Sequence, residues 1–272
     1  MINEWLTHLT TRCDQPYRRM GYLRELIAIE RRHRRCREAW RPHLKACRDL
    51  IETIARQCPK TRMAAVLGSG HLLDIPLLTL AEIFDEVILV DICHLHPTRR
   101  LGKTVQNLRF VEADISGVVG PLSKWMPGSL LPVPVIDPKI CAGADYVVSA
   151  NLLAQLPLLP LDAIPGEDEQ ARNIFARSII DHHLSYLQSL DCPVTLISET
   201  LRLVSNGEKV LGKIDPLFGA PLNVEGEEWW WEMAPRPEIS TDFDVRLRVR
   251  GVANLNDAAY ARFCRNTTLA TP

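Results

Sequence analysis

The sequence lacks what a membrane span needs. Crossing a bilayer takes about 20 consecutive apolar residues, and the longest apolar regions here, around Leu152–Leu161 and Leu72–Phe84, are broken by Gln155, three prolines, Asp74 and Glu82. The eight cysteines contain no CxxC pair and are spread along the chain, unlike the dense cysteines of a small disulfide scaffold. The first residues, MINEWLTHLTTRCD, have no basic segment followed by an apolar core, so no signal peptide is expected, and the expected location is cytoplasmic with reduced thiols. Neither an RNP sequence nor zinc-finger spacing is present, and no internal repeat is visible. Aromatic residues are few, at 6%, yet three of the six tryptophans adjoin as Trp229, Trp230 and Trp231.

What is present is an ordinary globular balance: 272 residues, 46% hydrophobic and 24% charged, enough for one α/β domain with an appendage. The net charge of −1 hides an asymmetry. Residues 1–62 hold 15 Lys and Arg against 7 Asp and Glu, and the remainder holds 17 against 26. We therefore divide the chain into a basic helical cap, residues 1–60, and an acidic body, residues 61–272. Cap arginines could bind phosphates, but pairing with the acidic body is the favoured reading. Cys36, Cys47 and Cys58 recur every 11 residues. At 1.5 Å per residue that spacing is about 16 Å of helix, too far for one metal ion, so no metal site is expected and the three read as small buried side chains. Cys93-His94-Leu95-His96 reads as a loop after a strand.

Apolar spacing predicts helix over residues 17–57, with a break near Pro42. Short apolar runs predict parallel strands at Met63–Leu67, Val87–Val90, Leu108–Ala113, Asp145–Ser149 and Pro193–Ser198. Helical patterns run from Leu73 to Phe84, over Pro97–Val105, and from Glu167 to Leu190, the last with Ile174, Phe175, Ile179, Leu184 and Leu187 on its buried side. Pro121–Pro138 reads as loop with a brief helix. Asn206-Gly207 signals a hairpin between Leu201–Ser205 and Lys209–Ile214. Glu228–Met233 and Asp244–Val252 are antiparallel strand candidates. The fold class is α/β, a doubly wound sheet with an antiparallel finish and an N-terminal helical cap.

In open α/β sheets ligands bind at the carboxyl ends of the strands. Gly68-Ser69-Gly70 follows the first strand, where glycines let the chain turn sharply and a ligand approach the backbone. Asp91 ends the second strand, placed to accept bonds from ribose hydroxyls. Asp114 ends the third, placed beside an exocyclic amine, and Ser149, Ala150 and Asn151 end the fourth. A dinucleotide site wants GxGxxG; Leu73 stands in place of the third glycine, which ranks a nucleotide-dependent oxidoreductase behind a ligand without a pyrophosphate.

With these motifs, Ala64–Gly70, Val87–Asp91, Phe110–Asp114 and Asp145–Asn151, the sequence resembles the class I S-adenosylmethionine-dependent methyltransferases over about residues 63–200, as a divergent member. The resemblance implies a seven-strand sheet with an antiparallel last strand, matched here by Asp244–Val252. It also implies S-adenosylmethionine as cofactor and S-adenosylhomocysteine as product. Gly68, Ser69 and Gly70 would border the methionine part, Asp91 and Ile92 the ribose, and Ala113, Asp114 and Ile115 the adenine, with Ser149 nearby. Val66 stands where the family commonly has an acid and Leu72 where it has a third glycine, and no NPPY-like tetrad follows the fourth strand.

Methyl transfer depends on in-line placement of a nucleophile, with a base where the acceptor must lose a proton. Asn151 and Glu199 are the candidate catalytic residues, each weighed against a capping or turn role. His71 and His94 lie near the expected cofactor rim, and of His182 and His183 one is expected to pack and one to face solvent. Period two puts Trp229 and Trp231 on one face of a strand and Trp230 on the other, as core closure or as a lid. The expected partner is a small-molecule acceptor; nucleic acid is disfavoured, no membrane partner is expected, and a homodimer stays open beside a monomer. The alternative to the enzyme is a catalytically degenerate methyltransferase-fold protein acting as a binding or scaffold protein.

Overall fold

The computed structural model describes residues 11–257. Its centre is one sheet of eight strands in the order β3-β2-β1-β4-β5-β8-β7, with β6 pairing the outer half of β5. Strands β1 (Met63–Leu67), β2 (Glu86–Asp91), β3 (Leu108–Glu112), β4 (Tyr146–Ala150) and the first part of β5 (Val194–Asn206) run parallel. Strand β8 (Asp244–Val252) runs antiparallel to β5 and to β7 (Glu227–Ala234). The expected doubly wound sheet with an antiparallel last strand is met, and β6 (Lys209–Ile214) is an addition to the seven. The predicted strands Pro193–Ser198 and Leu201–Ser205 are one long β5, continuous through a bulge between Glu199 and Leu201.

Strand texture follows position. The central strands β1 and β4 are buried on both faces, whereas edge strand β3 is not. Alternate residues divide the core: Ala65 and Leu67 join the cluster on one face and Ala64 and Val66 the cluster on the other, as a period of two demands. Along β8, Val245, Leu247 and Val249 are buried while Arg246, Arg248 and Arg250 are partly exposed.

The N-terminal segment forms α1 (Gln15–Arg19), α2 (Tyr22–Arg35) and α3 (Arg37–Ala55). The break falls at Cys36, earlier than Pro42, which lies inside α3. Proline there removes one backbone donor near the start of a long helix, and the burial of Trp40, Leu44, Cys47, Leu50 and Ile51 on one face offsets it. Each large apolar side chain so buried contributes about 1.5–3 kcal/mol. Exposed pairs such as Arg56 with Glu52 and Arg41 with Glu38 contribute under about 1 kcal/mol. The apolar stripe, rather than the arginines, therefore holds α3 on the sheet. Arg24, Arg34, Arg41 and Arg56 pair with acids of their own segments; Glu238 of the body takes Arg35 at 2.6 and 2.7 Å and lies 3.4 Å from Arg32.

After β1 come α4 (Leu77–Ile83), α5 (His96–Leu101), α6 (Val119–Leu122), a 3-10 turn at Leu153–Gln155, α7 (Leu158–Asp162) and α8 (Glu169–Gln188). Helix α4 starts after Pro76, not at Leu73, because the segment before it is the looped floor of the site. Helix α8 is capped by Asp168, which accepts from Ala171 N at 2.9 Å. Its buried side carries Phe175, Ile179, His183 and Leu187, while Ile174 is 62% exposed. Ile174 is one residue, about 100°, off that stripe.

Candidate active site

A cavity of about 500 Å³ lies at the carboxyl ends of the parallel strands. Gly68, Ser69, Gly70, Asp91, Ile92, Ala113, Asp114, Ile115, Asn151 and Glu199 all line it. Ser149 does not. It is fully buried in β4, its hydroxyl 3.1 Å from His183 Nε2. A strand residue one place before the end points into the sheet's packing, and this one is claimed by α8. His182 takes the more exposed place beside it, accepting from Ile136 N at 3.4 Å.

The first wall is the loop after β1. Gly68 and Gly70 sit at φ of +69° and +47°, where a Cβ costs about 1–2 kcal/mol. A Cβ on Gly68 would also meet the Leu152 side chain at 3.0–3.2 Å. The Gly68 and Ser69 amides donate to Val90 O at 2.9 and 3.1 Å, which ties the loop to β2. Asp91 then closes the ring: Oδ2 accepts from Gly70 N and Oδ1 from Ile92 N, both at 2.7 Å. Burial holds its carboxyl above the usual range, opposed by those two donors and by His94 and His71. Each oxygen keeps a second lone-pair direction.

Asp114 is differently placed. Its Oδ1 accepts from Ser116 N at 2.9 Å, Ser116 Oγ at 2.6 Å and Gly117 N at 3.1 Å, and its Oδ2 from Val119 N at 2.8 Å. The carboxylate organises the turn into α6 and keeps one lone-pair direction at Oδ2. Two cavity-lining hydroxyls nearby, Ser69 Oγ and Tyr22 OH, are buried without a hydrogen-bond partner among the described residues. Burial and the charges of Asp114 and Asp91 push the Tyr22 phenol up, so it is a neutral group able to donate.

The far end of the cavity is built on α3, β5 and β7. Asn151, at φ +52°, lies 2.6 Å from Asp74 Oδ2 and 3.3 Å from His43 Nε2. His43 is fully buried, stacks on Trp231 at 4.1 Å, and receives the Trp229 indole N–H on Nδ1 at 3.0 Å. Burial pushes His43 down to about 3, so it is neutral. Trp40 meets Trp231 edge-on at 4.9 Å and donates to Met233 O at 2.9 Å. The tryptophan run thus braces α3 against β7 through Trp229 and Trp231, while Trp230 faces outward under Arg246. Glu199 is 7% exposed, with Arg202 3.5 Å away. Burial raises its carboxyl and Arg202 opposes the rise. Because the folded state disfavours ionised Glu199, its ionisation favours unfolding above the ordinary glutamate pKa. Glu199→Gln is expected to melt higher than the parent at pH 8, with the gap closing toward about pH 4; a thermal melt series across that range measures it.

Sequence reasoning placed a cap over the site without naming its residues. They are Tyr22, Glu25, Leu26, Ile29 and Arg32 on α2, with Trp40 and His43 on α3. Their spacing of three and four along α2 is the signal that could have found them. His71 holds this cap down, its Nε2 2.7 Å from Leu26 O. His94 lies under the rim, 3.3 Å from Val111 O, and Cys93 and Leu95 pack with Cys13, Leu23 and Ile27. Asp74 and Arg202 also line the cavity and carried no sequence motif.

No family model matches the chain, and no curated protein matches it. Solved structures do. A Burkholderia thailandensis 1,6-didemethyltoxoflavin-N1-methyltransferase with bound 1,6-didemethyltoxoflavin and S-adenosylhomocysteine is 15% identical, over 88% of this chain and 91% of that one, with a TM-score of 0.39. The 23S rRNA methyltransferase ErmE is 16% identical over 79% and 73%, with a TM-score of 0.29. The glycopeptide N-methyltransferase MtfA complexed with S-adenosylmethionine is 14% identical over 80% and 81%, with a TM-score of 0.31. Likenesses of this size leave the assignment to the residues themselves.

Proposed function

We propose that the protein is an S-adenosylmethionine-dependent methyltransferase acting on a small molecule, with residues 1–60 as cap and 61–272 as the catalytic body. The observation that carries it is the ring Gly68-Ser69-Gly70-Asp91 at the ends of β1 and β2, in which Asp91 fixes the glycine loop yet keeps acceptor capacity toward the cavity. The residues present fit a nucleoside. Gly70 leaves open space, a Cβ there meeting only Gly68 O at 3.8 Å, Asp91 can accept from ribose hydroxyls, Ala113 and Ile115 offer apolar flanks for a ring, and the Ser69 and Tyr22 hydroxyls, unpartnered among the described residues, supply donors. When bound, the cofactor supplies a methyl group on a sulfonium, which needs no further activation by the protein.

The chain's own residues then position the acceptor and take its proton. Glu199, raised toward neutrality by burial, is the proton acceptor in this reading, since a base works best with a pKa near the working pH. Asn151 orients the acceptor. A small acceptor is favoured over nucleic acid because α2 and α3 wall the site and several of their arginines are engaged, Arg34 and Arg41 by acids of their own helices and Arg32 and Arg35 by Glu238. The test is calorimetric titration with S-adenosylhomocysteine. Binding is expected, weakened at least tenfold in Asp91→Ala; absence of binding by the parent chain, or equal binding by the variant, would sink the reading. The second reading, a binding protein that keeps the fold, draws on Asp114, whose carboxylate serves its own loop, and the same titration separates the two.

A further inference from the structure

We infer that the Asn151 side chain is turned with its amide oxygen toward His43 and Asp74 and its NH2 toward the cavity, so that the site takes a small molecule presenting a hydrogen-bond acceptor, a ring carbonyl oxygen or an unprotonated ring nitrogen, to that NH2. The argument starts at Trp229. An indole N–H only donates, and it points at His43 Nδ1 from 3.0 Å. Nδ1 is therefore bare, and the proton of the neutral ring is on Nε2. His43 Nε2–H in turn faces the Asn151 amide at 3.3 Å. A neutral imidazole cannot accept on both nitrogens, so of its contacts with Trp229 and Asn151 one must run outward, the Cys47 sulfur lying farther off at 3.6 Å from Nε2. The indole cannot be reversed; the amide can, because its oxygen and nitrogen are alike in shape and the surrounding network decides which lies where. The atom facing His43 is thus the amide oxygen.

That same atom lies 2.6 Å from Asp74 Oδ2. Two oxygens at that distance share a proton, so Asp74 is the carboxylic acid that donates to Asn151. The groups around it agree. Asp74 lies in the cavity floor with Asn151, and burial pushes its carboxyl up, opposed first by the contact with Asn151 and then by the charge of Arg48, whose own guanidinium is turned to Leu73 O at 2.5 Å. The chain of donors therefore runs inward from Trp229 through His43 to Asn151, and from Asp74 to the same oxygen. The outer amide atom makes no hydrogen bond within the described residues, and Asn151 lines the cavity. With its oxygen committed inward, the group it offers a ligand is a donor. Asn151 is by this account a positioning residue that selects for a ligand edge without a proton.

The orientation stands without the methyl-transfer reading; the class of ligand rests on that reading. The first experiment is a long-range proton–nitrogen correlation spectrum of the 15N-labelled full chain. The His43 ring, assigned by its loss in His43→Gln or by its change in Trp229→Phe, is expected with Nε2 protonated and Nδ1 bare from pH 5 to pH 8. A ring protonated on Nδ1, or an imidazolium, overturns the orientation. Asn151→Asp keeps an oxygen toward both inner donors, so it is expected to melt within about 3 °C of the parent; a fall beyond about 10 °C overturns it as well. The ligand class is read at pH 7 from 4-quinolone, which presents a ring carbonyl, against 4-aminoquinoline, whose basic ring nitrogen is protonated there and so offers only donors, each titrated with S-adenosylhomocysteine saturating. At least tenfold tighter binding of the ketone, lost in Asn151→Asp, is expected; any result short of that preference overturns the class. If S-adenosylhomocysteine itself fails to bind while the ring spectrum is as expected, the methyl-transfer reading fails and the orientation stands.

Discussion

Replacing Gly117 by alanine is expected to cost roughly 3 kcal/mol or more of folding stability. Gly117 sits at φ +70°, and a Cβ there would lie 2.5–2.7 Å from the N, O and C atoms of Val135. The left-handed conformation alone penalises a Cβ by about 1–2 kcal/mol. Overpacking adds about 1–3 kcal/mol, at the upper end here because the obstacle is backbone and cannot turn aside as a side chain can. The two segments are also bonded, Val135 N donating to Gly117 O at 3.1 Å, so separating them breaks that bond. Gly117 N is one of the donors that fix Asp114, and the same change should loosen the wall formed by Asp114, Ile115 and Ser116. Urea unfolding measures the effect, with Gly120→Ala as the control, since nothing lies within 4 Å of a Cβ at Gly120. A loss under about 1 kcal/mol would show that the segment around Val135 yields.

Gly117 also shows what a sequence conceals. Gly68 and Gly70 could be read as functional because they follow an apolar strand and precede a carboxylate-ended one. Gly117 sits between Asp114 and a proline-rich loop, and its need for glycine comes from Val135, 18 residues away, across a contact no local pattern encodes. The sheet was legible for the opposite reason. Strands buried on both faces read as short apolar runs, and the alternation of Val245, Leu247 and Val249 with arginines marked β8 as a strand wherever it paired. Boundaries were less legible. The helical pattern from Leu73 to Phe84 could hold Pro76 only in its first turn, yet the chain before Pro76 forms the looped floor around Asp74, and Leu72 there takes φ +57°.

The candidate site divides along the same line. Residues at strand ends could be placed from topology, because a doubly wound sheet gathers them in one crevice. Ser149 failed that rule: Ala150 ends β4 and Asn151, just past it, turns into the cavity, while Ser149 is still inside the strand under α8. Residues brought from elsewhere were invisible. His43 reaches Asn151 across 108 positions and Trp229 across 186, and its neutrality depends on a desolvated site that exists only after α3 packs on β7. The tryptophan run could be assigned to two faces from period two, but which face met α3 could not.

Acidification should unfold the protein through two buried histidines. His43 and His183 are fully buried, and burial pushes each down to about 3. In the unfolded chain a histidine titrates near 6.5. The native pKa is the lowered one, so the stabilisation is complete above about 6.5 and is lost as pH falls, the unfolded state taking up the protons that the native state refuses. Each histidine contributes a slope of about 1.4 kcal/mol per pH unit below its unfolded pKa, or roughly 5 kcal/mol for the pair by pH 4.5. The raised carboxyls of Asp74, Asp91 and Glu199 act in the other direction, since their protonation on acidification favours the native state. The histidine part is therefore best isolated by difference. His183→Gln removes the titrating ring but keeps a polar group for Ser149, whose hydroxyl lies 3.1 Å from His183 Nε2. Urea unfolding of parent and variant at pH 7.5 and 4.5 should show the variant losing about 2.5 kcal/mol less across that interval. Equal losses would mean that His183 is protonated in the native state or keeps its unfolded pKa, and either result would contradict a closed contact between α8 and β4.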